Sequence, residues 1–536
     1  MTLLFWSNVI TAKKKKRGNK KMTRNCNNIV NIINFVRGWT PKKEDDWQLL
    51  NTVKEEMGLM KRFNFPGTFL LQYDALKRDE YIDYFKKEAD DSIELGIWIE
   101  VVQPLVKACG LKWRGKEDVI WDWHINPGFL MSYTQKEREL LCDEQMRYFK
   151  ERFGYYPETV GSWLLDSYSM EYLSKKYDIK AFCICREQLR VDAYTLCGGY
   201  YNQGYYPSKY NMLCPAQTEE NMIKTPVFRM LGIDPIYEYD KLRYKNQYEY
   251  KHPIYTFEPD WTVGRNKELV GEFLKNYFND NVLGFSYIQV GQENSFWWYG
   301  IESGWNNEAE VLVDLREKGT IRMEKLSESG EWFKKTYSMT PATSICAQND
   351  WGGNNLQAFW YNCKNYRCGV IVENDKLIIR DIYKFDERYK EAHYSVPEME
   401  SVTVYDNLPV VDSILQSNDL DGGNRRCGMF FDGCVSGLKI PEEGSEMTIE
   451  AKLDNEKICI RFTQKGVEVR GNTKILYKYS ELDNTKIKCE KDGFSFAHNG
   501  FEYFVPITAD IEEMKDGAML KSRDDTIFID MEVIGK

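Results

Sequence analysis

From Ile29 to Glu293, short apolar runs with strand character alternate with stretches of helical periodicity. Alternation of this kind is typical of βαβ units and predicts a parallel sheet. If the sheet closes into a barrel, the residues just after the strands converge on one face, where barrel enzymes hold their active sites. The predicted strands are Ile29–Phe35, Thr68–Leu71, Glu94–Ile99, Val119–Trp123, Gly161–Leu165, Pro253–Phe257 and Leu283–Val290, and the predicted helices include Asp45–Phe63, Glu80–Asp90, Gln135–Phe153 and Lys267–Asn279.

The pattern changes after Pro341, where helical periodicity fades and short alternating runs separated by turn clusters take over. This texture predicts an antiparallel β-sandwich. A chain of 536 residues is also too long for one hydrophobic core. We therefore expect a disordered basic tail over 1–27, a catalytic barrel domain over 28–339 and a sandwich over 340–536. Met22 is an alternative to Met1 as the natural start, because strand pattern begins only at Ile29.

Carboxylates stand at five of the predicted strand ends. Hydrolysis of a glycosidic bond needs two such groups, one to protonate the leaving oxygen and one to act as nucleophile or base. Asp166 and Glu293 are the preferred pair, since each closes an apolar strand and has Trp neighbours. Asp166 has an alternative role as the N-cap of a helix that follows it. The five candidate catalytic residues are Asp74, Glu100, Asp166, Glu258 and Glu293.

Aromatic residues make up 14% of the chain, and many cluster near the predicted strand ends. Flat rings with a polar edge suit sugars, which have apolar faces and hydroxyl rims. The alternative is that the rings only fill the core. The expected partner is an oligo- or polysaccharide. The candidate substrate-binding residues are Trp98, Trp123, His124, Trp163, Arg186, Tyr205, Tyr206, His252, Gln292 and Trp297.

A metal site is the competing chemistry. Asp122 and His124 are two positions apart, so on a strand their side chains point to the same side. With Asp74 they would form an oxygen-and-nitrogen site suited to zinc or another divalent ion. The leading hypothesis, a carboxylate pair, requires no cofactor.

Composition narrows the classes further. A net charge of −10 and an isoelectric point near 5.4 give no reason to expect nucleic-acid binding or attachment to anionic lipid. No apolar run is long enough to span a membrane, and no secretory signal is readable at the start. The 14 cysteines are irregularly spaced without a Cys-x-x-Cys pair. We expect a reduced, cytoplasmic setting; the oligomeric state is not indicated.

The segments Thr68–Asp74 and Glu94–Glu100, with Glu144–Asp166, resemble the glycoside hydrolase/deacetylase superfamily of distorted (β/α)7 barrels. Asp74 matches one position of the acidic pair that polysaccharide deacetylases carry in their first motif. Glu94 and Gly96 match their second motif, but Trp98 stands where the metal-binding histidine is expected. The resemblance implies an α/β fold, a distorted (β/α)7-type barrel followed by an antiparallel β-sandwich.

The two-domain layout also resembles retaining α-mannosidases, although Asp122-x-His124 reverses their zinc-binding His-x-Asp. From Ile29 onward the chain is most similar to bacterial, largely Bacteroidetes, two-domain proteins of unknown function, through segments such as Gly291–Phe296 and Tyr205–Ser208. This likeness implies a carbohydrate-active fold without a reaction. The leading hypothesis is a glycoside hydrolase. The alternatives are a metal-dependent polysaccharide deacetylase and a non-catalytic carbohydrate-binding protein.

Overall fold

The computed structural model describes residues 27–40, 45–238, 256–260, 266–279, 283–418, 425–440 and 446–532. Nearly all of the predicted basic tail, His252 and the first part of the predicted strand Pro253–Phe257 lie outside these residues. No helix among the described residues is long and apolar enough to cross a membrane.

Seven parallel strands form a nearly closed barrel, as the resemblance implied. Their order around the barrel is β7-β1-β2-β3-β4-β5-β6. Between the two end strands, the N–H of Leu231 just after β6 donates to Oε1 of Gln289 on β7 at 3.0 Å. The strands are β1 Asn28–Val36, β2 Gly67–Leu71, β3 Ile93–Trp98, β4 Thr159–Gly161, β5 Ala181–Cys185, β6 Val227–Met230 and β7 Ser286–Val290.

The helices pack around the barrel with their apolar stripes turned inward, as amphipathic crossover helices do. Helix α6 begins with a capping box in which Thr134 and Glu137 satisfy each other's backbone N–H groups. The helices are α1 Asp46–Phe63, α2 Tyr73–Leu76, α3 Asp79–Glu88, α4 Gln103–Ala108, α5 Ile125–Gly128, α6 Gln135–Phe153, α7 Ser167–Lys176, α8 Lys267–Tyr277, α9 Trp298–Glu317 and α10 Leu326–Thr336.

Two parts of the predicted strand pattern are wrong. Residues Val119–Trp123 form a loop, whose apolar side chains are only partly buried. Gly161 ends β4, so the stretch up to Leu165 lies beyond the strand. The barrel instead takes β5 and β6 from apolar segments that the strand–helix alternation did not single out. Short apolar runs are ambiguous in sequence, since periodicity alone cannot separate strand from buried loop.

The C-terminal region is an antiparallel sandwich whose first strand begins at Thr343, seven residues after α10 ends. Its two sheets enclose a second hydrophobic core. One sheet has nine strands: Thr343–Ala347, Gln357–Asn362, Tyr366–Glu373, Lys376–Lys384, Leu408–Asp412, Gly428–Phe431, Lys474–Lys478, Asp510–Met514 and Gly517–Lys521. The other has eight: Val435–Lys439, Met447–Leu453, Glu456–Phe462, Gly466–Arg470, Thr485–Glu490, Gly493–His498, Phe501–Thr508 and Thr526–Asp530.

Barrel and sandwich share a small sheet and a buried ion network. Thr403–Tyr405 runs parallel to Tyr194–Leu196, a strand in the segment after β5. A third strand, Gln188–Val191, pairs with Tyr194–Leu196 and completes the sheet. Arg367 of the sandwich pairs with Glu187 of the barrel at 3.2 Å. The remaining short strands are Gly204–Tyr205 and Arg322–Met323, and short 3₁₀ turns cover Leu130–Ser132 and Asn294–Phe296.

Candidate functional site

The candidate site lies at the carboxyl ends of the barrel strands. Arg37 follows β1, Asp74 follows β2, Glu100 follows β3 and Glu293 follows β7. All four side chains are buried. Three of these residues are carboxylates that the sequence placed at strand ends, and parallel strands bring such positions to one face.

Glu100 lies at the centre of a cage of nitrogen donors. Its side chain is almost fully buried, yet both oxygens are satisfied by hydrogen bonds. Each of these donors is an N–H group aimed at the carboxylate, so together they fix its position. Glu100 therefore organises the site. The donors are Arg37 (3.2 and 3.3 Å), Gln72 (2.8 Å), Trp98 (2.8 Å), Trp121 (3.1 Å) and Trp163 (3.1 Å).

Arg37 joins this cage to Glu293. Its Nη2 lies 3.2 Å from Oε2 of Glu100 and 3.2 Å from Oε2 of Glu293. The guanidinium also lies 4.2 Å from the centre of the Trp121 ring, a cation–π contact. Burial alone would lower the pKa of Arg37, but Glu100 and Glu293 raise it above its ordinary value. Arg37 is thus a fixed positive charge between two carboxylates.

Glu258 and Glu293 are neighbouring carboxylates with different surroundings. Burial raises the pKa of Glu258 to about 7, and the charge of Glu293 adds to the rise against hydrogen bonds from Thr256 and Gln292. Gln292 Nε2 donates to Glu258 at 2.9 Å. Burial also raises the pKa of Glu293, but Arg37 opposes that rise. The pKa of about 7 makes a protonated Glu258 available near neutrality. Glu293 instead lies next to the Arg37 cation, which favours its ionised form.

Asp74 is a third buried carboxylate at this face. Burial raises its pKa to about 6, against hydrogen bonds from the backbone N–H groups of Gly38 and Ala75. Its Oδ1 accepts from Ala75 at 2.7 Å, and its Oδ2 has no partner among the described residues.

Unpartnered polar atoms gather at the same strand ends. Buried polar atoms in folded proteins are nearly always hydrogen-bonded, so a group of exceptions calls for an explanation. A hydroxyl-rich ligand or ordered water at the mouth would satisfy them. Among the described residues, the unpartnered buried atoms in the three positions after each of these strand ends are Arg37 Nε, Gln72 Oε1, Asp74 Oδ2, Arg186 Nε, Glu187 Oε2 and Gln188 Oε1.

Sequence reasoning did not include Arg37 or Asp192 among the candidate site residues. Arg37 directly follows a predicted strand, which is a readable signal. Asp192 lies in the turn between Gln188–Val191 and Tyr194–Leu196, with a left-handed φ of 51°. Its negative charge contributes to the raised pKa of Glu293. Nothing local in the sequence marks it, because it belongs to no barrel strand.

Asp166, the other half of the predicted catalytic pair, lies in a different environment. It is the N-cap of α7, where its Oδ1 accepts from Ser169 N at 3.0 Å and its Oδ2 from Ser169 Oγ at 2.7 Å. Arg138 donates to Oδ1 at 2.8 Å. The side chain is fully buried and both oxygens are occupied. This placement favours the helix-cap alternative over catalysis.

The structure does not bring Asp74, Asp122 and His124 together as a metal site. Within the described part of the chain, no group of three His, Cys, Asp or Glu side chains could hold a metal ion. Asp122 Oδ1 instead contacts Nδ1 of His124 at 2.7 Å. Trp98, in the place of the expected histidine, offers Glu100 an indole N–H, which is a donor and cannot ligate a metal.

The predicted sugar-binding residues separate into three groups. Trp98, Trp163 and Gln292 belong to the central network, and His252 lies outside the described residues. Tyr205 and Tyr206 are buried core residues that donate to backbone carbonyls, and Arg186 is buried against Glu238 at 3.0 Å. The third group, Trp123, His124 and Trp297, is at least partly exposed near the mouth.

No protein-family model and no curated protein matches the chain. Its structure is similar to a crystal structure from Parabacteroides distasonis, described as a candidate glycoside hydrolase/deacetylase. That match has 17% identity and a TM-score of 0.52, and it covers 74% of this chain and 96% of the other. A candidate polysaccharide deacetylase from Mycobacterium smegmatis matches at 11% identity over 58% of this chain and 92% of its own. Its TM-score of 0.35 is too low to support an argument. The first likeness shows the fold alone, a nearly closed α/β barrel followed by antiparallel sheets.

Proposed function

We propose that the protein is a carbohydrate-active hydrolase that cleaves glycosidic bonds, with Glu258 as the acid and Glu293 as the nucleophile or base. The observation that carries the proposal is the contrast between these neighbouring carboxylates. Glu258, with its pKa raised to about 7, accepts hydrogen bonds from Thr256 and Gln292, the neutral donors that the described residues offer it. Glu293 pairs with Arg37. Such a difference in environment separates an acid from a nucleophile or base.

In this reaction Glu258 gives its proton to the glycosidic oxygen as the bond from that oxygen to the anomeric carbon breaks. Positive charge then develops on the anomeric carbon, and the Glu293 carboxylate stabilises it by direct attack or by activating a water molecule. One water is consumed overall, and its hydroxyl goes to the anomeric carbon. Its remaining proton goes to Glu258 in the covalent route, and to Glu293 and from there through solvent to Glu258 when Glu293 acts as the base. No metal enters these steps.

Arg37 and the Glu100 cage position these groups. The Arg37 cation opposes the rise that burial causes in the pKa of Glu293, next to a Glu258 whose pKa is raised to about 7. Among the described residues, Arg37 Nε, Gln72 Oε1 and Asp74 Oδ2 have no partner. They offer one donor and two acceptors for sugar hydroxyls. An oligo- or polysaccharide therefore fits the polarity of the site.

The test is a screen of the purified protein on a panel of polysaccharides, with release of reducing ends as the readout. Wild type should turn over at least one glycan, with and without a chelator. Glu258→Gln should lower turnover by about 10²- to 10⁴-fold, because the amide cannot supply a proton. Full activity of that variant would overturn the assignment. Binding without release of reducing ends or acetate from any glycan would instead favour the non-catalytic alternative, and release of acetate that the chelator abolishes would favour the deacetylase alternative.

A further inference from the structure

Two exposed aromatic pairs stand at the rim of the barrel mouth. We call Trp123 with His124, in the loop after β3, the β3 platform. We call Trp297, the N-cap of α9, with Tyr299 in the first turn of α9, the β7 platform. Large exposed aromatic surfaces are uncommon on soluble proteins and mark interaction sites when they cluster near a cleft.

The β3 platform is rigid. The rings of Trp123 and His124 are stacked, with centroids 4.0 Å apart and planes inclined by 24°. Asp122 fixes the imidazole through Nδ1, and Trp121 anchors the same loop to Glu100. Trp123 is nevertheless 44% exposed. A ring held in place with a free face costs little conformational entropy to use in binding.

The β7 platform is equally constrained. The rings of Trp297 and Tyr299 lie 5.7 Å apart, and Tyr299 is 71% exposed. Trp297 has a left-handed φ of 59°, a conformation that costs free energy for a bulky residue and persists only where its surroundings impose it. Its N–H bonds to the carbonyl of Asn294, whose side chain donates to the carbonyl of Arg37. The platform is thus tied to the catalytic centre.

The strand order places the platforms across the mouth from one another. Going around the barrel, β1 and β2 separate β7 from β3 on one side, and β4, β5 and β6 separate them on the other. Arg37 at the end of β1 bridges Glu100 and Glu293 between them. A ligand that touches both platforms must therefore pass over the proposed catalytic carboxylates.

We propose that the two platforms bind sugar rings of one linear glycan on opposite sides of the scissile bond, so that the enzyme cleaves internal linkages. Pyranose rings offer apolar faces for stacking, and each platform also carries a hydrogen-bonding group, the imidazole or the phenol. The cleavage claim rests on the proposed function, whereas binding at the platforms does not.

The test uses Trp123→Ala and Tyr299→Ala in the full chain, with Tyr156→Ala as the matched control. Tyr156 is 42% exposed but lies in the loop before β4, at the amino-terminal end of the barrel. Each platform variant should raise KM for the polysaccharide found in the screen by about three- to tenfold, which corresponds to the loss of one stacking contact. The loss on an aryl glycoside of the same sugar should be smaller, and the control should match wild type.

Product sizes give the second readout. Wild type should produce a spread of oligosaccharides early in the reaction, as internal cleavage requires. Release of single sugars from one end only, or platform variants with the KM of wild type, would overturn the inference. If wild type hydrolyses no glycan, retardation in polysaccharide-containing native gels separates the two ideas. Loss of retardation in Trp123→Ala but not in Tyr156→Ala would support the platforms while the proposed hydrolysis fails.

Discussion

The barrel mouth and the junction with the sandwich both bury a carboxylate against an arginine. The two regions differ in how completely the hydrogen bonds of that arginine are satisfied. At the junction, Asp166 pairs with Arg138, whose guanidinium also donates to the carbonyls of Tyr133, Met131 and His393. At the mouth, Arg37 keeps an unpartnered Nε beside Glu293. A saturated ion pair serves the fold, whereas an incompletely satisfied one is available to a ligand.

A raised pKa does not distinguish the regions by itself. Burial raises the pKa of Glu391 to about 8 at the junction, with the charge of Asp166 contributing. Both of its oxygens nevertheless accept backbone N–H groups, from Ser167 at 3.0 Å and Met212 at 2.9 Å. Glu258, with a comparable shift, also has both oxygens hydrogen-bonded, by Thr256 and Gln292. It differs in that Arg37, which pairs with the neighbouring Glu293, keeps an Nε without a partner among the described residues. A group with a perturbed pKa indicates function only where the geometry leaves room for a ligand to contact it.

Glu293→Gln should show the largest effect at the mouth. Removing the nucleophile or base should lower turnover of the glycan found in the screen by at least about 10²-fold. The melting temperature should change little, because the amide keeps the volume and the hydrogen bond from Ser295. Kinetics and thermal unfolding on the same preparation check both halves. If Glu293→Gln keeps its activity, or if it unfolds, the mouth no longer differs from the junction in serving catalysis and not the fold.

Asp166→Ala should do the opposite. It deletes a helix cap and leaves the buried Arg138 without its counter-ion, which together cost about 3–5 kcal/mol of unfolding free energy. Denaturant unfolding measures this loss. Turnover per folded molecule should stay close to wild type. A stable Asp166→Ala variant that has lost turnover would instead restore Asp166 to the catalytic pair.

The pH dependence should sharpen the contrast further. Glu258 must be protonated to act as the acid, and its pKa lies at about 7. Turnover should therefore fall about tenfold per pH unit as pH rises above that value. Residual turnover of Glu258→Gln should lack this alkaline decline. The comparison needs full pH profiles of kcat/KM for both proteins; an identical decline in the variant would show that another group is titrating.

The sequence predicted the barrel, the sandwich and the convergence of Asp74, Glu100 and Glu293, because all of these follow from strand period and strand ends. It could not show that Glu100 would be enclosed by donors from four other segments. It also could not decide between catalysis and capping for Asp166, since the deciding partner, Arg138, comes from α6. Such outcomes depend on contacts distant in sequence, which periodicity does not encode.

The structure also removes one premise of the metal hypothesis. Asp122 and His124 share a side only if their segment is a strand, and the structure has a loop there. In that loop the two side chains bind each other, and Trp121 turns inward to Glu100. The spacing therefore predicted correctly that Asp122 and His124 lie close together, but it gave no information about a third ligand.

The smallest expected effect concerns Glu308, a carboxylate behind the mouth that is neither saturated nor exposed. It lies in the buried stripe of α9, and neither of its oxygens has a partner among the described residues. Burial raises its pKa well above the ordinary value, and the charge of Glu258 adds to the rise. The folded protein thus keeps a proton that the unfolded chain releases above about pH 4.5, so stability is lost as pH rises through the folded pKa.

Glu308→Leu should remove this dependence, because leucine has no proton to retain and suits the apolar stripe. Its gain in unfolding free energy over wild type should be larger at pH 8 than at pH 5 by at least about 1 kcal/mol. Glu302→Leu, on the exposed face of the same helix, should show no such difference between the two pH values. Denaturant unfolding at both pH values measures it. A gain that is equal at pH 5 and pH 8 would mean that Glu308 ionises in the folded protein. An ionised Glu308 would add a second negative charge close to Glu258, which the comparison of the mouth with the junction does not include.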